Sequence, residues 1–591
     1  MFLPTILARL FAFKASKPLL RGAPPPFLNF RMGLAISLFG FCYLAIGVRL
    51  FMLGVTEPPM AGAGLPPPSK ARPDIVDRMG RPLARDYPTA SVYAEPRRMT
   101  NIDEAVEGLT SVFPDLDPAD LYKRLNSRAG FAWIKRVTTP EERARLWSLG
   151  IPGVGLRDEL KRLYPNGRAA AHVLGAVNVD NIGIAGMERW IDAQGLADLR
   201  VSGLRIERDS LQPVALSIDL RAQHALADEL RKAVTKFSAV AGAGLILDVT
   251  NGEVIALVSL PDFDPNIPAD ALKKDNINRV NVGTFEMGST FKALNTAMAL
   301  DSGLFTIRSV LDASSPLRFG RMSIGDFRGQ NRPLNVPESF IHSSNIAMGR
   351  MALAVGAQRQ QAFLKQVGQL DRLTTELPED AFPQVPKRWS EVTTATVSFG
   401  HGIAVTPLQA SMAIASMVNG GTLIRPTFVK GAEVEPRIMA RDVVSEQTGE
   451  ALRFLMRLNA RVGSGKKADI DGYYVGGKSG TAEKVVRGRY DSNTVLTAFM
   501  GVAPAHQPKY LFLTVLDEPK PLKETYGFRT SGWNAVPTTG LIMSRVLPIL
   551  GVQPDWKEPE NPFPSMVAAR AWGSNLFAPS QIAARAAALA E

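Results

Sequence analysis

The chain is predicted to be an α+β protein: an N-terminal transmembrane helix, an α+β module, and a larger domain built on an antiparallel sheet with helices packed on it. Three observations predict this. Residues 33–55 form an apolar run whose only charge is Arg49. Residues 244–258 read as strand, Asn251-Gly252 turn and strand, a strong hairpin signal. Helical periodicity then fills residues 290–420, before strand patterns return at 473–478, 494–502 and 510–516 and a last helix at 536–549.

Composition narrows the class of function. The 591 residues are 46% hydrophobic and 21% charged, which describes a folded chain with room for several domains. Part of the +12 net charge sits in Arg9, Lys14, Lys17, Arg21 and Arg31, ahead of the apolar run and with no acidic residue among them. The rest is spread thinly, so a nucleic-acid partner is not expected. Cys42 is the one cysteine, and the five histidines (172, 224, 342, 401, 506) show no metal-ligand spacing. Neither a metal nor a cofactor is expected.

In chain order, residues 1–32 read as a basic cytoplasmic segment and 33–55 as the membrane span. A 23-residue helix reaches about 34 Å, enough for a bilayer core of about 30 Å. The alternative is a cleaved secretory signal, with Ala61-Gly62-Ala63 as cleavage site. The run is longer than such signals use, which favours a retained anchor with its basic flank in the cytoplasm. Residues 56–71 read as a Pro/Gly-rich stalk, 72–205 as a non-catalytic module, and 206–550 as the main domain. Pro118 suits a first helical turn, and residues 219–234 read as a helix. The tail, 551–591, is expected to be largely mobile.

Three polar clusters lie in the main domain. Gly288-Ser289 is a helix-start signal, and on a helix beginning there Ser289 and Lys292 share one face, a hydroxyl beside an amine. Serine is equally an ordinary N-cap. A second Ser-x-x-Lys, Ser464 to Lys467, sits in a Gly/Lys-rich loop with no helix to hold the pair. Ser343-Ser344-Asn345 precedes a helical pattern and also reads as an N-cap. Lys478-Ser479-Gly480-Thr481 ends a strand and also reads as a hairpin turn. What separates these from chance is their conjunction: S-x-x-K, then S-x-N, then K-[ST]-G.

That ordered set is the one carried by penicillin-binding proteins and class A β-lactamases. The chain resembles a class B penicillin-binding protein, most closely the division-specific septal peptidoglycan D,D-transpeptidases. Further likenesses are Ile75-Val76-Asp77-Arg78 with Gly80, Arg162-Leu163-Tyr164-Pro165, Gly183 with Gly186 and Glu188, Gly400-His401-Gly402, and Gly501-Val502-Ala503-Pro504. Met287 departs from the family's usual proline, and Ser479 from its commoner threonine.

The resemblance implies an elongated N-terminal module and a transpeptidase domain with an antiparallel five-stranded sheet. It implies Ser289 as nucleophile, Lys292 as base, Ser343 as proton relay, and Lys478 as the cation that helps keep Lys292 neutral. Asn345, Ser479, Gly480 and Thr481 would bind substrate. The implied partners are peptidoglycan stem peptides, β-lactams as inhibitors, the inner membrane, and division-complex membrane proteins including a glycosyltransferase. Asn345, followed by Ile346-Ala347-Met348, points to division, since elongation relatives more often have Asp there. The alternatives are an elongation-type enzyme, a D,D-carboxypeptidase or β-lactamase-like hydrolase, and a catalytically idle division scaffold.

Overall fold

The structure is a computed structural model that describes residues 26–55, 71–196, 211–557 and 562–564. The basic segment before residue 26, the stalk through residue 70 and most of the tail lie outside the described residues. Within the tail, the Asp555 N–H donates to Gly472 O (2.8 Å), and buried Phe563 meets the Phe454 ring edge-on.

The first element is α1 (Pro26–Val55), which starts seven residues before the apolar run and ends with it. Leu34, Ile36, Leu38, Phe39, Phe41, Leu44 and Phe51 are all exposed on it. Among the described residues no helix is long and apolar enough to cross a membrane. The side chains of residues 26–32, 35, 50 and 52–55 are not among those described.

The chain forms two compact units, one holding α1 with residues 92–135 and 140–156, the other 71–91, 136–139 and everything described from 157 on. In the smaller, α2 (Ile102–Val112) is capped by the Asn101 side chain. Next, α3 (Pro118–Leu125) is capped by Asp117 and has Pro118 in its first turn, and α4 (Pro140–Leu149) follows. Their apolar faces bury Leu109, Phe113, Leu121, Leu125 and Leu146.

The larger unit begins with a buried ionic knot. Arg72 Nε pairs with Glu188 Oε2 (2.8 Å) and its Nη1 with Asp192 Oδ1 (2.8 Å), while Arg162 bridges Glu188 Oε1 (2.6 Å) and Asp86 Oδ1 (3.2 Å). Burial pushes the Glu188 carboxyl up, but Arg162 and Arg72 more than offset it and hold its pKa below the usual range. The turn Asp77–Gly80 is tied down beside it. Asp77 Oδ1 accepts the Met79 and Arg81 N–H groups (both 2.8 Å), and Oδ2 accepts that of Leu220 (3.3 Å). Arg78 donates from its backbone to Ile218 O (2.9 Å) and from its guanidinium to Glu253 (3.2 Å). Ile75-Val76 pairs in parallel with Val214-Ala215.

The central sheet contains β1 (Ala241–Asp248), β2 (Val254–Leu260), β3 (Gly476–Val486), β4 (Arg489–Ala503) and β5 (Tyr510–Asp517). The order is β3-β4-β5-β1-β2, every neighbour antiparallel. The hairpin read at Asn251-Gly252 is the β1–β2 connection. The strands are apolar runs rather than alternating ones, because both faces are covered. On one face α5 (Leu220–Lys236) and, far later in the chain, the helix at Ala535–Ile549 bury Leu226, Leu230, Val536 and Met543 against Ile246, Phe499 and Phe512. The other face packs under α6 (Lys292–Asp301), α8 (Pro407–Val418) and α9 (Glu446–Val462), with α7 (Asn345–Val355) in the same core cluster. β3 is an edge strand, so half of its backbone donors have no strand beside them.

Candidate active site

Ser289 sits in a 3₁₀ turn, Gly288–Phe291, that runs directly into α6. The expected helix therefore begins three residues after Ser289, with Lys292 as its first residue. Ser289 is half-buried and caps nothing, which removes the N-cap account of it. Thr290 Oγ1 instead fixes the turn by donating to Met287 O (2.8 Å). Two glycines are required by the approach of β3. Gly288 has φ +53°, and a Cβ on it would stand 2.9 Å from Thr481 O. A Cβ on Gly480 would stand 2.8 Å from both Met287 O and Thr290 Cγ2. The Gly400-His401-Gly402 segment closes the other side, where the Gly402 N–H donates to Glu286 Oε1 (2.8 Å) and Tyr490 OH donates to the same oxygen (2.9 Å).

Lys292 is fully buried. Burial first, and then the positive charge of Lys478, holds its pKa well below that of an ordinary lysine, with Asp326 pulling weakly the other way. Its ammonium nitrogen donates to Ser343 O and, at 2.9 Å, to Ser343 Oγ.

Ser343 follows the short helix Val336–Ile341 in the left-handed region, φ +56°, a conformation that costs a non-glycine residue about 1–3 kcal/mol. The N-cap function belongs to its neighbour, since Ser344 Oγ accepts the Ala347 N–H (3.0 Å) at the start of α7. The middle motif thus contains both readings the sequence offered, one per serine, and Ser343 is left to face Lys292. Asn345 is half-buried and donates from Nδ2 to Gly325 O (3.1 Å).

Lys478, Ser479, Gly480 and Thr481 lie in the body of β3, not at its end or in a turn, because the strand continues to Val486. Lys478 is buried, which lowers its pKa to about 7. Its nitrogen donates to Ser343 Oγ at 3.0 Å and lies 5.6 Å from the Phe340 ring centroid. Two lysines from different elements thus converge on one serine hydroxyl. The Thr481 hydroxyl accepts the Ser531 N–H (3.1 Å), and Ser479 Oγ lies 2.6 Å from Ser464 Oγ.

Several of these neighbours had no signal in the sequence. Asp326 follows a hairpin of Leu317–Phe319 with Met322–Ile324. Its carboxylate accepts from Ser344 Oγ (2.7 Å), Asn345 N (2.5 Å) and Ile346 N (3.1 Å). An Asp in a loop between short strands is unremarkable until the fold carries it to the N-terminus of α7. Ser464 did have a signal, the second Ser-x-x-Lys, and its loop lies against β3. Among the described residues no cluster of His, Cys, Asp or Glu could hold a metal ion.

With this geometry in place, comparison with known proteins is informative. Residues 242–535 match the model of the penicillin binding protein transpeptidase domain, and 68–194 that of the penicillin-binding protein dimerisation domain. The probable peptidoglycan D,D-transpeptidase FtsI of Caulobacter vibrioides is 35% identical over 557 residues, covering 92% of each chain. Peptidoglycan D,D-transpeptidase FtsI of Escherichia coli K12 is 31% identical over 581 residues, covering 92% of this chain and 96% of that one. Among solved structures, penicillin binding protein 3 of Mycobacterium tuberculosis, complexed with aztreonam, shares the fold with a TM-score of 0.64. It is 23% identical, over 84% of this chain and 98% of that one. The buried lysine pair, the three ordered motifs and relatives matched along nearly their whole length lead to one assignment: the chain belongs to the class B penicillin-binding proteins of the D,D-transpeptidase type.

Proposed function

We propose that this protein is the division-specific peptidoglycan D,D-transpeptidase of its cell, cross-linking stem peptides at the septum through an acyl-enzyme on Ser289 and inhibited by β-lactams. The observation that carries the reading is the convergence of Lys292 and Lys478 on Ser343 Oγ, at 2.9 and 3.0 Å, beside the turn that holds Ser289. A lysine can act as a base at neutral pH only with a lowered pKa, and burial lowers both.

In this reading neutral Lys292 takes the Ser289 proton as Oγ bonds to the carbonyl carbon between the two terminal D-alanines. Lys292 passes that proton through Ser343 to the departing amine, and the C–N bond breaks. The positive charge of Lys478 helps keep Lys292 neutral before the attack. Ser479 and Thr481 bind the terminal carboxylate, Gly480 lets the strand approach the turn, and Asn345 holds the peptide amide. Backbone N–H groups of Ser289 and Thr481 receive the oxyanion, a contribution worth about 100–1000-fold per donor. An amine of a second stem peptide then bonds to the ester carbon. As the ester C–O bond breaks, one amine proton passes through Lys292 to the Ser289 oxygen and the other stays on the new amide.

We place the domains at 72–205 and 206–550. We assign the apolar run 33–55, within α1, as a retained single-span anchor in the inner membrane, N-terminus cytoplasmic and catalytic domain periplasmic. The expected partners are division-complex membrane proteins, including a glycosyltransferase.

Intact-mass analysis after incubation with a penicillin tests the reading. One penicilloyl adduct is expected, mapped to the peptide containing Ser289, absent in Ser289→Ala and persisting for many minutes after free penicillin is removed. Labelling that survives Ser289→Ala removes the nucleophile from this account. Return to the unmodified mass within seconds makes the protein a hydrolase.

A further inference from the structure

Ser464 follows α9 in the turn at residues 463–465. Its N–H (3.1 Å) and its hydroxyl (3.2 Å) both donate to Asn459 Oδ1. Asn459 is itself fully buried and donates from Nδ2 to Gly477 O (2.8 Å) on β3. One amide thus ties the end of α9, the Ser464 turn and the strand together. The turn sets Ser464 Oγ 2.6 Å from Ser479 Oγ, closer than its contact with Asn459.

The protons decide what this contact does. Asn459 Oδ1 accepts from both the N–H and the hydroxyl of Ser464 and keeps the N–H when the hydroxyl turns away. In the shorter 2.6 Å contact either serine can be the donor, and a carboxylate that takes the Ser479 proton leaves Ser479 Oγ to accept from Ser464. When Ser464 donates to Ser479, the Ser479 proton is freed to point into the site. A hydroxyl that accepts one hydrogen bond also donates a stronger one. Serine at 479 needs such help. Threonine, the commoner residue of the motif, has a β-methyl that restricts χ1, and Ser479 has none.

We infer that Ser464 is a positioning residue that orients the Ser479 hydroxyl and polarises it toward the substrate's terminal carboxylate. The inference rests on the reading of Ser479 as a carboxylate-binding residue. Ser464 is exposed at the rim, where water competes, so its effect is smaller than that of Ser479.

The test compares second-order acylation rates of Ser289 by a penicillin with a free carboxylate and by its methyl ester, both read by intact mass. Ser464→Ala should slow the free acid about five- to tenfold and the ester about twofold or less. Ser464→Thr should restore the rate, and Ser464→Val, of the same shape without the oxygen, should not. Ser479→Thr in the Ser464→Ala background should recover part of the loss, because the methyl replaces the missing constraint. Equal slowing of both probes by Ser464→Ala, or rescue by Ser464→Val, overturns the inference. Ser479→Ala separates the underlying reading. If it slows acid and ester alike, Ser479 does not receive the carboxylate and both statements fall. If it slows only the acid while Ser464→Ala slows neither, the inference about Ser464 alone falls.

Discussion

Asp326→Ala removes three hydrogen bonds that hold the start of α7, those from Ser344 Oγ and from the Asn345 and Ile346 N–H groups. A hydrogen bond to an ionised group is worth about 1.5–3 kcal/mol. These three share one half-buried carboxylate and water replaces part of them, so the sum overstates the loss. The Ser344 cap on Ala347 stays in place, so the loss is bounded by that of an N-cap, about 0.5–2 kcal/mol, with about 0.3–1 kcal/mol more for an anion lost at a helix N-terminus. A local loss of about 1–3 kcal/mol follows, roughly two to five times thermal energy, at the residue next to Ser343. Misplacing a catalytic group by about 1 Å costs about 100-fold, so penicillin acylation should slow by about 10- to 100-fold. The thermal midpoint should fall by only a few degrees.

The same substitution moves the pH profile in a defined direction. The negative charge of Asp326 raises the Lys292 pKa, against the larger effects of burial and Lys478. Acylation needs Lys292 neutral, so the rate rises with pH through that pKa. Without Asp326 the pKa falls further and the acid limb moves to lower pH. Asp326→Asn, which keeps an acceptor oxygen but no charge, should show the same displacement with a smaller loss at the plateau. Acylation rates measured from about pH 5 to 9 decide it. An acid limb that stays put or moves to higher pH in both variants would refute the electrostatic argument. An unchanged plateau in Asp326→Ala would refute the positional one.

Lys292→Arg should lose penicillin labelling in an intact-mass assay, because guanidinium (pKa above about 12) stays charged and cannot take the Ser289 proton; normal acylation would show that Lys292 is not the acceptor. Lys478 has a folded pKa of about 7 against about 10.4 unfolded, so the unfolded chain binds the extra proton between those values and stability from this residue rises with pH across that window. The thermal midpoint of wild type should therefore gain on that of Lys478→Met from about pH 7 to 10, and a flat difference would contradict the buried-amine assignment. For topology, N-terminal sequencing of the mature protein should find no start after residue 63, and a C-terminal reporter active only in the cytoplasm would reverse the proposed orientation.

The fold was legible wherever one local rule decides an element. Asn251-Gly252 marks a hairpin, Pro118 after Asp117 a helix start, and the strands stand out because burial on both faces turns alternation into apolar runs. Ser289, Lys292, Ser343 and Lys478 were legible through their order along the chain, and the structure brings the last three together. What could not be read was long-range. Nothing near Asp326 says that it will meet Ser344, and nothing near Ser464 says that a loop after α9 will lie against Ser479. The register of β3 was also hidden, since Lys478 to Thr481 resemble a strand end until pairing with β4 carries the strand on to Val486. Local polarity marks which residues can act, and tertiary register decides which of them meet.

The turn at Asp77–Gly80 bears on how this protein can be cut for expression. Its residues precede the proposed domain boundary at 206 but are bonded into the unit beyond it. Truncation at 206 would remove the Asp77 carboxylate from the Leu220 N–H, Arg78 from Glu253 and Ile218, and the parallel partner of Val214-Ala215. It would leave Glu253 without Arg78 and the start of α5 without one of its acceptors. A fragment that begins near residue 71 keeps these bonds, together with the buried pairs of Arg72 and Arg162, and is the shorter form to prepare when the transpeptidase is wanted without α1.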